Sequence, residues 1–424
     1  MSLLDTAVWW HVYPLGALGA PIRGERPAEV VHRLSGLEAW LDHVVDLGCS
    51  GLLLGPVFAS DTHGYDTLDH FALDPRLGDD ADFDHLLAAA AERGLAVVLD
   101  GVFNHVGRRH PWVERALAEG PQSECAGLVR IDWSDDGQGH RRGVPATWEG
   151  HGDLVPLRHD DPRVADAVVA IMLHWLRRGI AGWRLDVAYS VPSWFWRTVL
   201  ARVRAEFPEM IVIGEVIHGD YPAIAAAGTL DSVTGYELWK ATWSSLRDRN
   251  LWELAWALER HDRFSRDVVL QTFVGNHDVD RIADTVGDAG AALALAVLMT
   301  TPGMPSIYYG DEEAFRGRKG TGPAADDPVR PPLPAGPDRL APYGAWMYRL
   351  HQDLIGLRRR HPWLVRARLR VVGKDCTWIT YESTGPAGQT VRVGITLDPH
   401  PAVRIRTDSE ELTWSGAPLD MAVR

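Results

Sequence analysis

The strongest constraint in this sequence is an alternation of apolar runs with helical patterns, sustained from about residue 7 to about residue 360. AVWWHVYPL (7–15), GLLLGPVF (51–58) and LAVVLD (95–100) read as strands, as do the runs near 180–186, 210–215, 268–274 and MPSIYYG (304–310). Between them, Leu37, Trp40, Leu41, Val44 and Val45, then Phe83, Leu86, Leu87, Ala90 and Ala91, recur at the spacing of a helix with one buried face. Further helices are expected at 164–178, 193–206, 251–261, 289–300 and 343–359. LAVVLD is apolar on both faces, as parallel strands covered by helices are. Seven strands are clear and an eighth, near 229–234, is weak. No GxGxxG follows any of them, so the count predicts an α/β fold of the (β/α)8 TIM-barrel type rather than an open doubly wound sheet.

Two stretches interrupt the rhythm. Residues 106–161, after the third strand, are polar and carry Trp112, Trp133 and Trp148, which predicts a short inserted lobe forming one wall of the cleft. Residues 316–340, rich in Pro and Gly, read as an ordered loop beside the same face. The barrel is thus expected over 1–105 and 162–361. Beyond it, LRVVG, CTWITYE and TVRVGITL alternate like strands without helices, predicting a small C-terminal β-sandwich over 362–424.

With a formal charge of −14 and no basic run, the chain is not expected to bind nucleic acid or an anionic membrane. It shows no signal-peptide pattern and no run read as long enough to cross a bilayer, so a cytoplasmic location is expected. Cys49, Cys125 and Cys376 lack CxxC spacing and suggest neither a disulfide framework nor a zinc site. No oligomeric state is implied.

In a TIM barrel the C-terminal strand ends converge, so Asp100, Asp186, Glu215 and Asp278, from four different runs, should meet over one pocket. In the stretch GIAGWRLDVAYS (179–190), strand alternation points Arg184 and Asp186 one way and Trp183, Leu185 and Val187 the other. A hard-cation site and a glycosidase carboxylate pair are both conceivable for such a cluster. The acids lie beside Asn104 and His105, Arg184, Asn276 and His277, which are hydrogen-bonders suited to sugar hydroxyls, and this favours glycoside chemistry.

DGVFNH (100–105), GWRLDVAY (182–189), GEV (214–216) and FVGNHD (273–278) resemble, in order and spacing, the four sequence regions of the α-amylase family, glycoside hydrolase family 13. GPVF (55–58), GYDTLDHFALDPRLG (64–78) and PGMPSIYYGDE (302–312) also look like family segments, so the resemblance covers roughly residues 8–360. It implies Asp186 as nucleophile, Glu215 as general acid/base and Asp278 as a third carboxylate gripping sugar hydroxyls. It further implies Arg184 holding Asp186 ionised, His105 and His277 bonding the sugar, Tyr65 stacking beneath it, and Asp100 and Asn104 as supports behind these groups. Glu215 would need a pKa lifted from about 4.3 toward about 6 to act as an acid. The substrate implied is an α-1,4- or α-1,6-linked gluco-oligosaccharide. A transglycosylase or glucoside isomerase would use the same triad, and a sugar-binding subunit without activity is the reading from another class.

The chain also departs from the family pattern. Tyr189 and Ser190 stand where many α-amylases carry Lys-His, and Val187 is more similar to neopullulanases and oligo-1,6-glucosidases. Members that bind calcium use positions matching Asn104, Asp153 and the main chain at Ser190, but HGDLVPL (151–157) fits the corresponding region poorly. The expectation is an enzyme needing no cofactor, with calcium the one metal the pattern leaves open.

Overall fold

Eight parallel strands close into a barrel in the computed structural model, which describes residues 2–24, 27, 29–135 and 141–416. They are β1 (Trp9–Val12), β2 (Gly51–Leu54), β3 (Ala96–Gly101), β4 (Gly182–Leu185), β5 (Ile211–Gly214), β6 (Ser232–Thr234), β7 (Val269–Phe273) and β8 (Met304–Tyr308), each paired with its sequence neighbours, and β8 closing on β1. The weak eighth run is real: β6 is only three residues long, yet it pairs on both sides.

Alternation divides the residues of these strands between two environments. Trp9, Leu53, Val98, Ile211, Ile213, Val269 and Met304 fill the barrel interior, where Trp9 Nε1 lies 3.1 Å from Met304 Sδ. Their neighbours, such as Leu52, Val97, Leu99, Trp183, Leu185 and Val212, pack outward against the helices. The helices are α1 (Leu41–Leu47), α2 (Asp80–Glu92), α3 (Pro162–Arg178), α4 (Ser193–Arg204), α5 (Tyr221–Gly228), α6 (Tyr236–Arg247), α7 (Trp252–Phe264), α8 (Ile282–Thr300) and α9 (Ala345–Arg360). Asp79 closes a capping box at the start of α2, and Gly48 and Gly179 end α1 and α3 in the left-handed conformation that glycine adopts without a steric penalty.

Three expectations need correction. Helix α8 is kinked at Gly287, with φ 70° and ψ 172°, so the unbroken helix follows Gly287 as expected and a short helical segment from Ile282 precedes the kink. Counted across the kink, its 19 residues and mean hydropathy of 1.6 do meet the length and apolarity of a bilayer span; 72% of its most apolar window is buried, so its apolar surface serves the barrel. The C-terminal unit is not a sandwich: among the described residues it is one five-stranded antiparallel sheet, β9 (Arg368–Lys374), β10 (Trp378–Thr384), β11 (Thr390–Thr396), β12 (Ala402–Thr407) and β13 (Glu411–Ser415). Its buried face lies on helices instead of a second sheet, with Tyr381 Oη 2.6 Å from Thr300 Oγ1 and Ser383 Oγ donating to Thr300 O at 2.8 Å. Finally, Val187 does not continue the outward row of β4. The strand ends at Leu185, and Val187 takes φ 39°, ψ 44°, a conformation costly for a β-branched residue.

Among the described residues of 106–161, Trp148, His151 and Leu154 line the pocket at the C-terminal ends of the strands. The segment holds a helix (Pro111–Glu119) and an antiparallel pair (Ile131–Asp135 with Arg141–Pro145), while His105–Gly107 pairs with Leu154–Pro156 at the base.

The barrel closes tightly at its glycines. A Cβ at Gly182 would fall 2.0 Å from Ile211 O, inside the β4–β5 ladder. Gly182→Ala is therefore expected to cost roughly 2–3 kcal/mol or more in urea unfolding, and a loss under about 0.5 kcal/mol would show that the ladder yields freely.

Candidate active site

The C-terminal ends of the strands surround a pocket of ≈ 380 Å³ lined by, among others, Tyr65, His105, Trp148, Asp186, Glu215, Tyr236, Asp278 and Arg330. Its floor is organised by the Arg184 guanidinium. Register places Arg184 of β4 beside Asp100 of β3, and Leu185 beside Gly214, so Glu215 follows one step beyond β5. Arg184 Nη1 donates to both oxygens of Asp100 at 2.8 and 2.7 Å and to Asp186 Oδ1 at 3.3 Å, while Nη2 lies 2.7 Å from Glu215 Oε1. All four side chains are buried.

Glu215 accepts two further bonds, from Val187 N at 2.9 Å and from Tyr236 Oη at 3.2 Å. The left-handed turn at Val187 brings that N–H round to the carboxylate. Tyr236 Oη in turn accepts from Asn276 Nδ2 at 2.9 Å.

Arg184 reaches Asp186 only through its longest contact, at 3.3 Å. Its short bonds go to Asp100 and Glu215; burial, then the charge of Glu215, push the Asp186 carboxyl well above the usual range against the pull of Arg184. Burial likewise raises Asp100, although Arg184 opposes it.

Asp278 has the opposite environment. Burial works against its ionisation, but His277 (Nε2 to Oδ2, 3.0 Å) and Arg330 (Nη2 to Oδ1, 3.0 Å) outweigh burial and hold the carboxyl well below its ordinary value. Its side chain remains 36% exposed toward the cleft. Arg330 also donates to His277 O at 2.9 Å and lies 4.4 Å over the Tyr13 ring.

Around these acids stand further hydrogen-bonding groups. Burial pushes His105 down to about 3, and Asn104 Nδ2 lies 3.0 Å from its Nδ1, which leaves the ring hydrogen on Nε2. Neither His105 Nε2 nor His277 Nδ1 has a protein partner, although both are buried. Trp148 of the inserted lobe stacks on His105 at 5.3 Å. Tyr65 lies parallel to His277 at 5.4 Å and donates to Asp100 Oδ2 at 3.1 Å.

All nine residues singled out in the sequence therefore lie in or directly behind one pocket. Three contributors were not anticipated. Tyr236 lies in a stretch without clear periodicity, Arg330 in the Pro/Gly-rich loop after β8, and Trp148 in the lobe; only the lobe's aromatic content hinted at any of them.

Of the positions matched to calcium ligands, Asn104 places its amide nitrogen 3.0 Å from His105 Nδ1, and Asp153 is exposed, its carbonyl accepting from Arg108 N at 2.9 Å.

The two carboxyl environments predict opposite stability effects. Asp186 has a raised folded-state value, so its linked stability is full below the unfolded value of about 3.9 and is lost as pH rises through the folded value. For Asp278 the stability is present above about 3.9 and lost as pH falls through its depressed value. Near neutral pH, Asp186→Asn is expected to raise the melting temperature and Asp278→Asn to lower it, with the Asp186→Asn gain shrinking in acid. Thermal scans check this; destabilisation by Asp186→Asn at neutral pH would contradict the raised value of its carboxyl.

Residues 28–151 and 149–330 match the family described as alpha amylase, catalytic domain. Neopullulanase 2 of Thermoactinomyces vulgaris is 31% identical over 357 residues, covering 80% of this chain and 57% of that protein. The intracellular maltogenic amylase of Bacillus subtilis (strain 168) is 30% identical over 299 residues, 67% of this chain and 49% of that protein. The chain thus spans about half the length of these curated relatives. A solved structure of the cyclic alpha-maltosyl-(1→6)-maltose hydrolase of Arthrobacter globiformis superimposes with TM-score 0.80 at 21% identity, covering 97% of this chain and 98% of that one, a likeness of fold. The match over most of the barrel, with the four carboxylates gathered at its mouth, establishes that this chain belongs to the α-amylase family, glycoside hydrolase family 13.

Proposed function

We propose that the protein is a retaining α-glucoside hydrolase acting on maltodextrin-like glucans with α-1,4 or α-1,6 linkages. One observation carries this reading: Asp186 and Glu215 flank a single guanidinium at the floor of a pocket whose walls offer unpartnered imidazole nitrogens. The names of the relatives, a neopullulanase and a maltogenic amylase, support the substrate class, and the word intracellular in one of them supports a cytosolic site of action.

Double displacement follows from this placement. An Asp186 oxygen attacks the anomeric carbon as Glu215 gives its proton to the departing glycosidic oxygen; Glu215 then takes a proton from water, whose oxygen displaces Asp186 and restores the original anomeric configuration. Asp186 must be ionised and Glu215 protonated in the productive complex, so the pH profile belongs to the pair. Asp278 and the imidazole edges of His105 and His277 hold the sugar hydroxyls, with Arg330 fixing Asp278 as an acceptor. Tyr236, through its bond to Glu215, positions the acid.

Asp186→Asn is expected to lower kcat on maltotriose by at least roughly 10⁴. Glu215→Gln should cripple maltotriose cleavage yet spare the first step for aryl α-glucosides with acidic phenols, whose leaving groups need no proton. Equal loss on both substrates would remove Glu215 from the role of acid. Activity should also survive EDTA, because HGDLVPL (151–157) fits the calcium-binding pattern poorly; full loss restored by calcium would refute this.

A further inference from the structure

A second cavity, of ≈ 220 Å³, lies at the N-terminal ends of β1 and β8, the end of the barrel away from the catalytic acids. Two consecutive arginines from the end of α9, Arg358 and Arg359, line it together with Thr6 and Gly303. Arg358 is buried, and its Nη1 donates to Met299 O at 3.0 Å and Thr301 O at 2.9 Å, while Nη2 donates to Gly303 O. A guanidinium carries five N–H groups, so the Nε–H and the second Nη2–H of Arg358 have no protein acceptor among the described residues. Arg359 donates from Nε and Nη2 to Gly48 O and from Nη2 to Ser50 Oγ, which leaves its Nη1 in the same condition.

Charge sets this cavity apart. The chain holds 57 acidic residues against 43 basic ones, and its other buried arginines are matched: Arg76 by Asp74, Arg184 by Asp100 and Glu215, Arg281 by Asp311, Arg330 by Asp278. Among the described residues, no carboxylate pairs with Arg358 or Arg359. Asp5, the one acid on the cavity wall, is held by Arg366 at 2.7 Å. Burial pulls the Arg358 guanidinium below its ordinary value, and no acid draws it back. Backbone carbonyls solvate such a charge without cancelling it, and a buried charge without a counter-charge is costly. The group that would relieve this cost is an anion. Two N–H groups on a planar guanidinium, with a second guanidinium beside it, match the oxygens of a phosphate-type ion. The volume is below the roughly 300–1,000 Å³ of sites for drug-sized ligands, which favours a free ion over an organic ester.

We infer that this cavity binds a free oxyanion of phosphate size between Arg358 and Arg359. The ion ties the end of α9 to the starts of β1 and β8 and stabilises the folded chain; it takes no part in glucoside cleavage, so the site stands or falls independently of the function proposed above.

Thermal scans of the whole chain in inorganic phosphate, with potassium chloride at equal ionic strength as reference, test this. The melting temperature is expected to rise by roughly 1–3 °C and to level off, with half the effect reached at about 1 mM. Phosphate also stabilises proteins by exclusion from their surface, but that effect does not saturate at millimolar concentration and does not distinguish variants. Arg359→Met, at an exposed position, should raise the half-effect concentration about tenfold. Thr6→Glu, which puts a carboxylate on the cavity wall, should raise the melting temperature without phosphate and remove the saturable response. A rise in the wild-type protein that never levels off, or a saturable response that either variant leaves unchanged, would overturn the site.

Discussion

Everything at the mouth of this barrel depends on one buried cation. Arg184 ties β3, β4 and the turn after β5 together through Asp100, Asp186 and Glu215, and a guanidinium so deeply buried is tolerable only with those carboxylates around it. The dependence is mutual. Removing the arginine would leave three buried acids facing one another, an arrangement whose disruption typically costs about 3–5 kcal/mol per broken pair. The site is therefore a structural element as well as a chemical one.

Asp100 takes both of its short bonds from Arg184, and Asp186 receives only a long one. Burial, then the charge of Glu215, raise the Asp186 carboxyl against the pull of that one long bond. The backbone adds a second constraint, since Val187 accepts a left-handed conformation so that its N–H can reach Glu215. Strain of this kind persists where the surroundings enforce it, and here the next residue on one side is the proposed nucleophile.

Much of this was legible in the sequence. Period-two and period-3.6 patterns marked seven strands and most helices because the barrel buries its strands on both faces and its helices on one. The four acids were legible because strand ends in a TIM barrel converge, whatever the loops do. What escaped were features set by tertiary context. The three-residue β6 is too short to carry a period; Tyr236 and Arg330 reach the acids from a helix start and an irregular loop; and the single C-terminal sheet looks like half a sandwich until its covering helices are in place. Sequence spacing also placed Arg184 beside Asp186, and the structure adds that Asp100 and Glu215 take its shorter contacts.

The central claim is that Asp186 attacks the anomeric carbon and that two inversions restore its configuration. A proton NMR time course on a maltooligosaccharide tests it most directly, because the newly formed reducing end is seen before mutarotation. The α-anomer should appear first, with the β-anomer growing only at the rate of mutarotation. Prompt appearance of the β-anomer would mean a single displacement by water and would contradict the assignment of Asp186 as nucleophile.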